Sequence, residues 1–343
     1  MTASGRTAAL AALRRIAFLL EREGAETHRV RAFRGAAAVL DGLSDAALAE
    51  RVATGTLGDL PGIGPVTARV VAEAATGRRP GYLEPLEEAA RRPVATGGEA
   101  LRAALRGDLH VHSDWSDGGS PVAEMARTAQ ALGHEYVALT DHSPRLRVAR
   151  GLTAERLREQ LDLVRRVNVE LAPFRILTGI EVDILPDGSL DQDADLLAEL
   201  DVVVASVHSV LRMPAPEMTR RLVTAVANPN VDVLGHCTGR LVVGRGRAPS
   251  QFDAELVFAA CRRFDVAVEV NCRPERLDPP RALLRLAVGA GCLLAIDTDA
   301  HAPGQLDWLP YGCARAVECG AEPTAVVTTW PADQVRAWAS RRA

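Results

Sequence analysis

The chain contains no lysine: all 40 of its basic residues are arginines. Without a lysine amine, a protein cannot form a lysine Schiff base, and it cannot carry the phosphate-binding loop motif that ends in lysine. The sequence therefore excludes a lysine-dependent lyase and a P-loop nucleotide hydrolase. Aromatic residues are also scarce, at 4% of the chain, so alanine, valine and leucine must fill the core.

Several other features are missing. None of the six cysteines forms a CxxC pair, no signal peptide is evident, and no apolar run approaches the ~18 residues that span a membrane. We therefore expect reduced thiols, a cytoplasmic location and no membrane partner, and a monomer is compatible with the sequence. The net charge of −4 gives no overall attraction to nucleic acid, so any contact with DNA must be local.

Residues 1–92 are predicted to form a small helical domain, because apolar residues recur there at helical spacing and short turns separate the segments. The stretch "LPGIG" contains Gly62 and Gly64, which favour a tight turn before a helix that begins near Pro65. Such a turn presents backbone N–H groups to a phosphate, although a tight turn without any ligand explains it equally well. Candidate DNA-binding residues are these two glycines and three arginines on the second helix, Arg29, Arg31 and Arg34.

The pattern changes after a linker at residues 93–106. Seven short apolar runs now alternate with helical segments, which predicts an α/β domain at 107–343 with a parallel sheet, and a sheet of seven strands favours a closed or nearly closed barrel. The runs are "GDLHVHS", "YVALTDHS", "RILTGIEVDIL", "DVVVASVHS", "VDVLGHCTG", "VAVEVNC" and "LLAIDTDAH".

Most of these apolar runs end in residues that can bind metal. The carboxyl ends of parallel strands meet at one mouth of a barrel, so we expect the side chains to converge there. Imidazole and carboxylate ligands without cysteine are typical of zinc, manganese or iron, and nine candidates are enough for two or three divalent ions. The predicted metal ligands are His110, His112, Asp117, His142, Glu181, His208, His236, Asp299 and His301.

Clustered divalent ions suit phosphoester hydrolysis, because they bind an anionic substrate, acidify water and stabilise the leaving oxygen. Arginines near such a centre commonly hold phosphate oxygens, and Arg240, four residues after His236, is the predicted candidate. A second arginine, Arg245, follows in the same segment. His134, in "ALGHEY", is expected at the surface or in a turn.

The motifs HxH, TDH, GxE, SVH, GH and DxH, in this order, resemble the PHP (polymerase and histidinol phosphatase) family. The segments "TGIEVDILPDGSLD" and "EVNCRPERLD" are similar in sequence to the PHP module of bacterial family X DNA polymerases. Residues 1–92 resemble the helix-hairpin-helix domain of those polymerases. The resemblance implies a distorted (β/α)7 barrel preceded by an all-α domain. The polymerase palm is absent, since the linker is too short for it, so we expect no polymerase activity.

The resemblance also implies three ligand sets. Asp299 would join His110, His112 and Glu181 at a first metal, and Glu181 would bridge to a second metal with His208 and His236. A third metal would be held by Asp117, His142 and His301. Within this arrangement Glu181, His208, Asp299 and Arg240 are the predicted catalytic residues.

Three functions remain open at this point. The leading hypothesis is a phosphoesterase at DNA 3′ ends, acting as a 3′-5′ exonuclease, a 3′-phosphatase or both, in DNA repair. The second is a phosphatase of small phosphomonoesters such as histidinol phosphate. The third is a non-catalytic DNA-binding repair scaffold whose metals are structural.

Overall fold

The computed structural model describes residues 4–340, and these fall into two compact units. The first unit ends at Pro93 and the second begins at Val94. No helix in the described part of the chain is long and apolar enough to cross a membrane. All six cysteines are buried and free of disulfides.

The first unit consists of helices around a single apolar core. The long first helix is capped by the Ser4 hydroxyl, which accepts the N–H of Thr7, and its buried face includes Leu13, Ile16 and Leu20. This face packs against the second and fourth helices. The helices are α1 Gly5–Arg22, α2 Thr27–Asp41, α3 Asp45–Thr54, α4 Pro65–Ala75 and α5 Leu83–Ala90.

The turn before α4 has the form that the glycines predict. Gly62 has a φ of 90°, a left-handed conformation that strongly favours glycine, and Pro65 occupies the first turn of α4. The N–H of Gly64, however, donates to the Thr67 hydroxyl at 2.9 Å. This internal cap satisfies one of the backbone donors that the sequence left available for a phosphate.

The second unit is a sheet of seven parallel strands with helices between them. The strands pair in sequence order from first to last, which confirms the predicted α/β architecture. The strands are β1 Gly107–Val111, β2 Tyr136–Leu139, β3 Arg175–Asp183, β4 Val202–Ser206, β5 Val233–Leu234, β6 Ala267–Asn271 and β7 Leu294–Asp297. The helices are α6 Glu99–Ala104, α7 Val122–Ala131, α8 Ala154–Leu171, α9 Ala194–Ala198, α10 Ala215–Val226, α11 Ala254–Phe264, α12 Arg281–Gly289, α13 Leu309–Glu318 and α14 Ala332–Ala339.

Between β1 and β7 the barrel is closed mainly by side-chain hydrogen bonds, because the two strands form no regular ladder of backbone hydrogen bonds. A single backbone bridge joins Val111 to Ala300. The Asp297 carboxylate accepts the N–H of Leu109 at 2.8 Å, and the Asp108 carboxylate accepts the Thr298 hydroxyl at 2.5 Å. The barrel is therefore nearly closed, and these two buried acids hold the first and last strands together.

Strand alternation separates the barrel interior from the helical layer. On β3, Leu177 joins an apolar cluster with Val204 and Ala295, whereas Ile180 belongs to a cluster with Leu157 of α8. Successive side chains of a strand point to opposite faces, so Glu181 lies on the same face as Leu177. The interior of the barrel is therefore apolar toward the amino ends of the strands and polar at their carboxyl ends.

Candidate metal centre

The nine predicted ligands lie on or after six different strands, always at the carboxyl end. His110 is within β1 and Glu181 is within β3, while His208 follows β4 and His236 follows β5. Asp299 follows β7 and has a φ of 52°. An aspartate tolerates this left-handed conformation, and backbone strain of this kind is concentrated at functional sites.

Asp117 reaches the centre from the loop after β1. The loop is anchored by Asp141, which is buried and accepts hydrogen bonds from the Ser113 hydroxyl at 2.6 Å and the Ser116 hydroxyl at 2.5 Å. Gln160 of α8 donates to the same carboxylate at 2.6 Å. Asp141 therefore positions the loop that carries Asp117, and its neighbour His142 points into the centre.

The ligand atoms gather into four overlapping groups, and within each group they lie within 4.8 Å of one another. Together the groups contain all nine predicted ligands and no other residue of the described chain. The groups are His110, His112 and Asp299; His110, Glu181 and His236; His142, Glu181 and His208; and His112, Asp117, His142 and His301.

Glu181 is at the centre of this arrangement. Its Oε1 lies 2.8 Å from Nε2 of His236 and 3.2 Å from Nε2 of His208. Its Oε2 lies 2.7 Å from Nδ1 of His142 and 3.4 Å from Nε2 of His110. The two oxygens of one carboxylate thus face two different sets of imidazoles, as a bridging ligand requires.

The chemistry of the donors fits cations. Within residues 4–340, Nε2 of His110, both ring nitrogens of His112 and of His208, and Oε2 of Glu181 are buried without a hydrogen-bond partner. Burial lowers the pKa of His112 well below its usual value, and the nearby His301 and His142 lower it further. His112 is therefore a neutral imidazole, the form that binds metal. Buried polar atoms that converge without hydrogen-bond partners are typical of the donors of a metal site.

The acids of the centre are held ionised. Burial by itself raises the pKa of the Glu181 carboxyl, but the imidazoles of His208 and His142 outweigh this effect and hold the pKa well below its usual value. The pKa of Asp299 is likewise lowered, against the effect of burial, by Arg273 and His110. Both carboxylates are thus available as anionic ligands.

Two supporting acids were missed in the sequence. Glu269 of β6 is fully buried, and its Oε1 lies 2.5 Å from Nδ1 of His110. Asp183 accepts the backbone N–H of His208 at 3.1 Å, and its Oδ1 lies 3.4 Å from the ring Nδ1. Period-two alternation could have found them, because Asp183 shares a strand face with Glu181 and Glu269 shares one with Asn271.

The prediction for Arg240 was wrong. Its guanidinium donates to the backbone carbonyls of Arg276 and Leu277, so it supports the loop after β6 and does not line the central cavity. Two other arginines, Arg273 and Arg276 of that loop, line the cavity beside the ligands, where Arg240 was expected. Nη1 of Arg273 lies 2.9 Å from Nδ1 of His301, and Nε of Arg276 lies 3.3 Å from Oδ2 of Asp299.

A cavity of about 510 Å³ opens over the centre. The ligands Asp117, His142, Glu181, His208, His236, Asp299 and His301 line it, together with Arg273 and Arg276. Its size falls within the range of small-ligand sites, roughly 300–1,000 Å³. The ligand cluster is therefore open to a substrate on one side.

The predicted DNA-binding residues lie in the first unit and differ in their surroundings. Arg31 is exposed, and Arg29 donates to the Tyr82 hydroxyl at 2.8 Å. Arg34 is committed elsewhere, because its Nε and Nη2 both lie 2.8 Å from the carboxylate oxygens of the buried Glu21. The expectation for Arg34 therefore needs correction: it forms a bidentate ion pair within the helical core.

Comparison with known families assigns both units. Residues 108–259 match the PHP domain, and residues 5–79 match a helix-hairpin-helix domain. The barrel therefore contains a PHP domain, and the helical unit before it contains a helix-hairpin-helix domain. These matches confirm the resemblance to both domains that was noted in the sequence.

The relatives of this chain differ in length and name. The "DNA polymerase/3′-5′ exonuclease PolX" of Bacillus subtilis is 43% identical over 237 residues, which cover 69% of this chain and 41% of that protein. The chain thus spans about two-fifths of that relative. The "Probable phosphatase Teth514_1060" of Thermoanaerobacter sp. is 28% identical over 205 residues, which cover 57% of this chain and 78% of that protein.

A solved structure is also similar to the chain. It is the histidinol phosphate phosphatase of Lactococcus lactis in complex with zinc, L-histidinol and phosphate. The match has a TM-score of 0.48 and 21% identity, and it covers 64% of this chain and 95% of that one.

Proposed function

We propose that the PHP barrel hydrolyses phosphate esters at DNA 3′ ends with two or three divalent ions, zinc, manganese or iron. The observation that carries this proposal is the position of Glu181, whose two oxygens face separate imidazole sets on the floor of an open cavity. Divalent ions held by these residues would supply Lewis acidity that activates water and neutralises charge on the phosphate.

The residues of the chain have distinct tasks in this proposal. The ligand sets are those that the family resemblance implies, with Glu181 shared between two ions. Glu181, His208 and Asp299 would hold the ions beside the cavity that admits the phosphate. Glu269 and Asp183 orient His110 and His208 through their hydrogen bonds.

Two arginines are positioned to bind the phosphate itself. Arg273 and Arg276 line the cavity beside Asp299, and a guanidinium can donate two parallel hydrogen bonds to phosphate oxygens. Because Asp299 already neutralises part of their charge, the pair can hold an anion without leaving a buried cation unpaired. Arg273 and Arg276 therefore replace Arg240 in the proposed catalytic set.

Two further observations support DNA as the substrate. The helix-hairpin-helix domain places exposed arginines on α2, and the relative from Bacillus subtilis is named both a polymerase and a 3′-5′ exonuclease. Without a palm, the chain lacks the part in which a polymerase binds nucleotide, so the exonuclease or phosphatase function is the one we transfer.

The test is a metal screen with end-labelled DNA that carries either a 3′-hydroxyl or a 3′-phosphate. Shortened products show nuclease activity, and products that differ only in charge show phosphatase activity. We expect E181Q to lose at least a hundredfold in rate, whereas E318Q, a change at an exposed glutamate of α13, retains the wild-type rate. Full activity in E181Q would contradict the multinuclear centre.

A small-molecule phosphatase is the second candidate, because the open cavity admits small esters. In addition, one relative that the chain matches over 78% of its length is named a probable phosphatase. Rapid hydrolysis of small phosphomonoesters with no action on either DNA end would favour this candidate. Tight DNA binding by metal-loaded protein, without hydrolysis of any phosphoester, would leave the scaffold function.

A further inference from the structure

We propose that two rigid apolar loops at the mouth of the barrel hold the terminal base of a nucleic-acid strand beside the metal centre. The inference rests on the proposed function and deepens it, because it names the part of a DNA end that this cavity contacts in addition to the phosphate. The loops are 143–151, after β2, and 241–247, after β5.

The cavity has two unlike sides. Its floor consists of the imidazoles, carboxylates and arginines already described. Apart from Glu275 and Gly244, its remaining lining is apolar: Leu146, Val148 and Ala149 come from the first loop, and Leu241 and Val243 come from the second. A ligand that fills this space must join an anionic group to an apolar one.

Several exposed apolar side chains of the protein lie at this end of the barrel. Nine large apolar residues are exposed among residues 4–340, and four of them follow β2, β4 or β5. Val148 is the extreme case, with 90% of its surface in water. Scattered exposed valines need no explanation, but a group around one cavity indicates a ligand surface. The four are Val148, Val210, Val242 and Val243, of which Val148 and Val243 line the cavity.

Both loops are held in place by hydrogen bonds that their backbone N–H groups donate. In the first loop, Arg145 donates its N–H to Asp191 at 2.8 Å. In the second, Leu241 and Arg247 exchange N–H···O bonds of 2.9 and 2.8 Å, and the N–H of Val242 donates to the Glu275 carbonyl at 2.7 Å. The apolar wall is therefore preorganised, which reduces the entropy lost on binding.

The same loops carry exposed positive charge. Arg145 and Arg147 are exposed on the first loop, and Arg245 is exposed on the second. Charges of this sign beside an apolar wall match a strand whose phosphates alternate with bases. An uncharged lipid or an apolar peptide would leave these arginines without a counterpart. The nucleobase is also the apolar group nearest to a 3′-terminal phosphate, so it is the occupant that the wall fits.

Contact with the face of a base is tolerant of sequence, because every base presents an apolar face. The wall should therefore select a nucleotide over a bare sugar phosphate without selecting one base over another. This selection separates a DNA end from small phosphate esters that lack a ring.

The test compares two 3′-phosphorylated oligonucleotides that differ only at the last residue, which carries thymine in one and no base in the other. The measured quantity is the ratio of their kcat/KM values for the full-length, metal-loaded protein. We expect the wild type to prefer the base by about tenfold, which corresponds to about 1.4 kcal/mol. The double variant V148N/V243N should reduce this ratio to near one. The ratio does not depend on the fraction of active protein, so partial misfolding cannot produce the result.

The matched control is V169N, which changes an exposed valine of α8 outside this cavity and should keep the tenfold ratio. A wild type that hydrolyses both oligonucleotides equally would overturn the base-holding wall while the proposed function stands. A double variant that keeps the preference would also overturn it. If wild type hydrolyses glycerophosphate but neither oligonucleotide, the proposed DNA function fails and this inference fails with it.

Discussion

Nδ1 of His110 lies 2.5 Å from Oε1 of Glu269, and this contact determines which ring nitrogen faces the metal centre. A carboxylate can only accept, so Nδ1 carries the proton and Nε2 is free toward Asp299 and Glu181. The second oxygen of Glu269 accepts the backbone N–H of His236 at 2.5 Å. One buried acid outside the ligand set thus positions two ligands on different strands.

Replacing Glu269 by Gln should weaken metal binding. The amide has one acceptor oxygen, so either the His110 ring or the His236 N–H would face an NH2 group in place of an acceptor. Loss of such an orienting partner typically costs about tenfold to hundredfold in metal affinity. Chelator competition measures the change, with E318Q as the exposed control. Equal affinity in E269Q and wild type would show that Glu269 has no orienting role.

Removal of the metals should destabilise the barrel. An ion that binds only the native state, at about 100 times its Kd, adds about 2.7 kcal/mol, which corresponds to roughly 5–10 °C in a domain of this size. All four tryptophans lie in the second unit, so their fluorescence reports barrel unfolding alone.

We expect excess chelator to lower the Tm of the wild type by that amount. In E181Q, which lacks the shared carboxylate, the same treatment should have a much smaller effect. If chelator leaves the Tm of the wild type unchanged, the buried donors do not bind an ion under the conditions used.

Much of the centre could be predicted because parallel strands bring their carboxyl ends together. The positions of His110, Glu181 and His208 in the chain are sufficient once the strands are recognised, since alternation fixes which side chains share a face. Glu269 could have been found by the same rule: a charged residue within the apolar run "VAVEVNC" must be buried and therefore paired.

Other features depend on contacts between distant segments. Arg240 was assigned to the cavity from its spacing to His236, but Gly239 adopts a φ of 59° and the hairpin that follows turns the guanidinium toward the Leu277 carbonyl. Arg34 finds its partner Glu21 on another helix. Spacing along the chain contains no information about either pairing.

His134 was expected at the surface, and the structure shows it buried after α7, with only 6% of its surface exposed. Neither ring nitrogen has a hydrogen-bond partner among the described residues. Burial, together with the nearby Arg102, lowers the pKa of His134 to about 3. The native state therefore keeps this imidazole neutral at pH values where the unfolded chain protonates it.

This difference should make the barrel less stable in acid. The unfolded state binds the extra proton below its pKa of about 6.5, so stability is fully present above that pH and is lost progressively as the pH falls toward 3. Between pH 7 and pH 5, metal-free wild type should lose about 2 kcal/mol more than H134L. Urea unfolding followed by tryptophan fluorescence gives both values, and H28L, at an exposed histidine, serves as the control. If the free energy of unfolding depends on pH in the same way for wild type and H134L, the buried imidazole is not kept neutral by the native state.

Arg31 and Arg34 are three residues apart on α2 but should respond differently to replacement by Gln. Arg31 is exposed, so R31Q should weaken DNA binding and reduce the salt dependence by about one phosphate contact. Arg34 is paired with the buried Glu21, so R34Q removes the bidentate ion pair that this carboxylate forms with the guanidinium and should cost about 3 kcal/mol of stability.

Fluorescence anisotropy at several salt concentrations measures the first effect, and amide hydrogen exchange in α1 and α2 measures the second. R31Q should keep the amide exchange rates of the wild type. R34Q should accelerate amide exchange, but its folded fraction should bind DNA with the salt dependence of the wild type. The opposite pattern, with protected amides and a reduced salt dependence in R34Q, would return Arg34 to the DNA-binding surface. It would also mean that the Glu21 pair opens when the helical domain meets a phosphate.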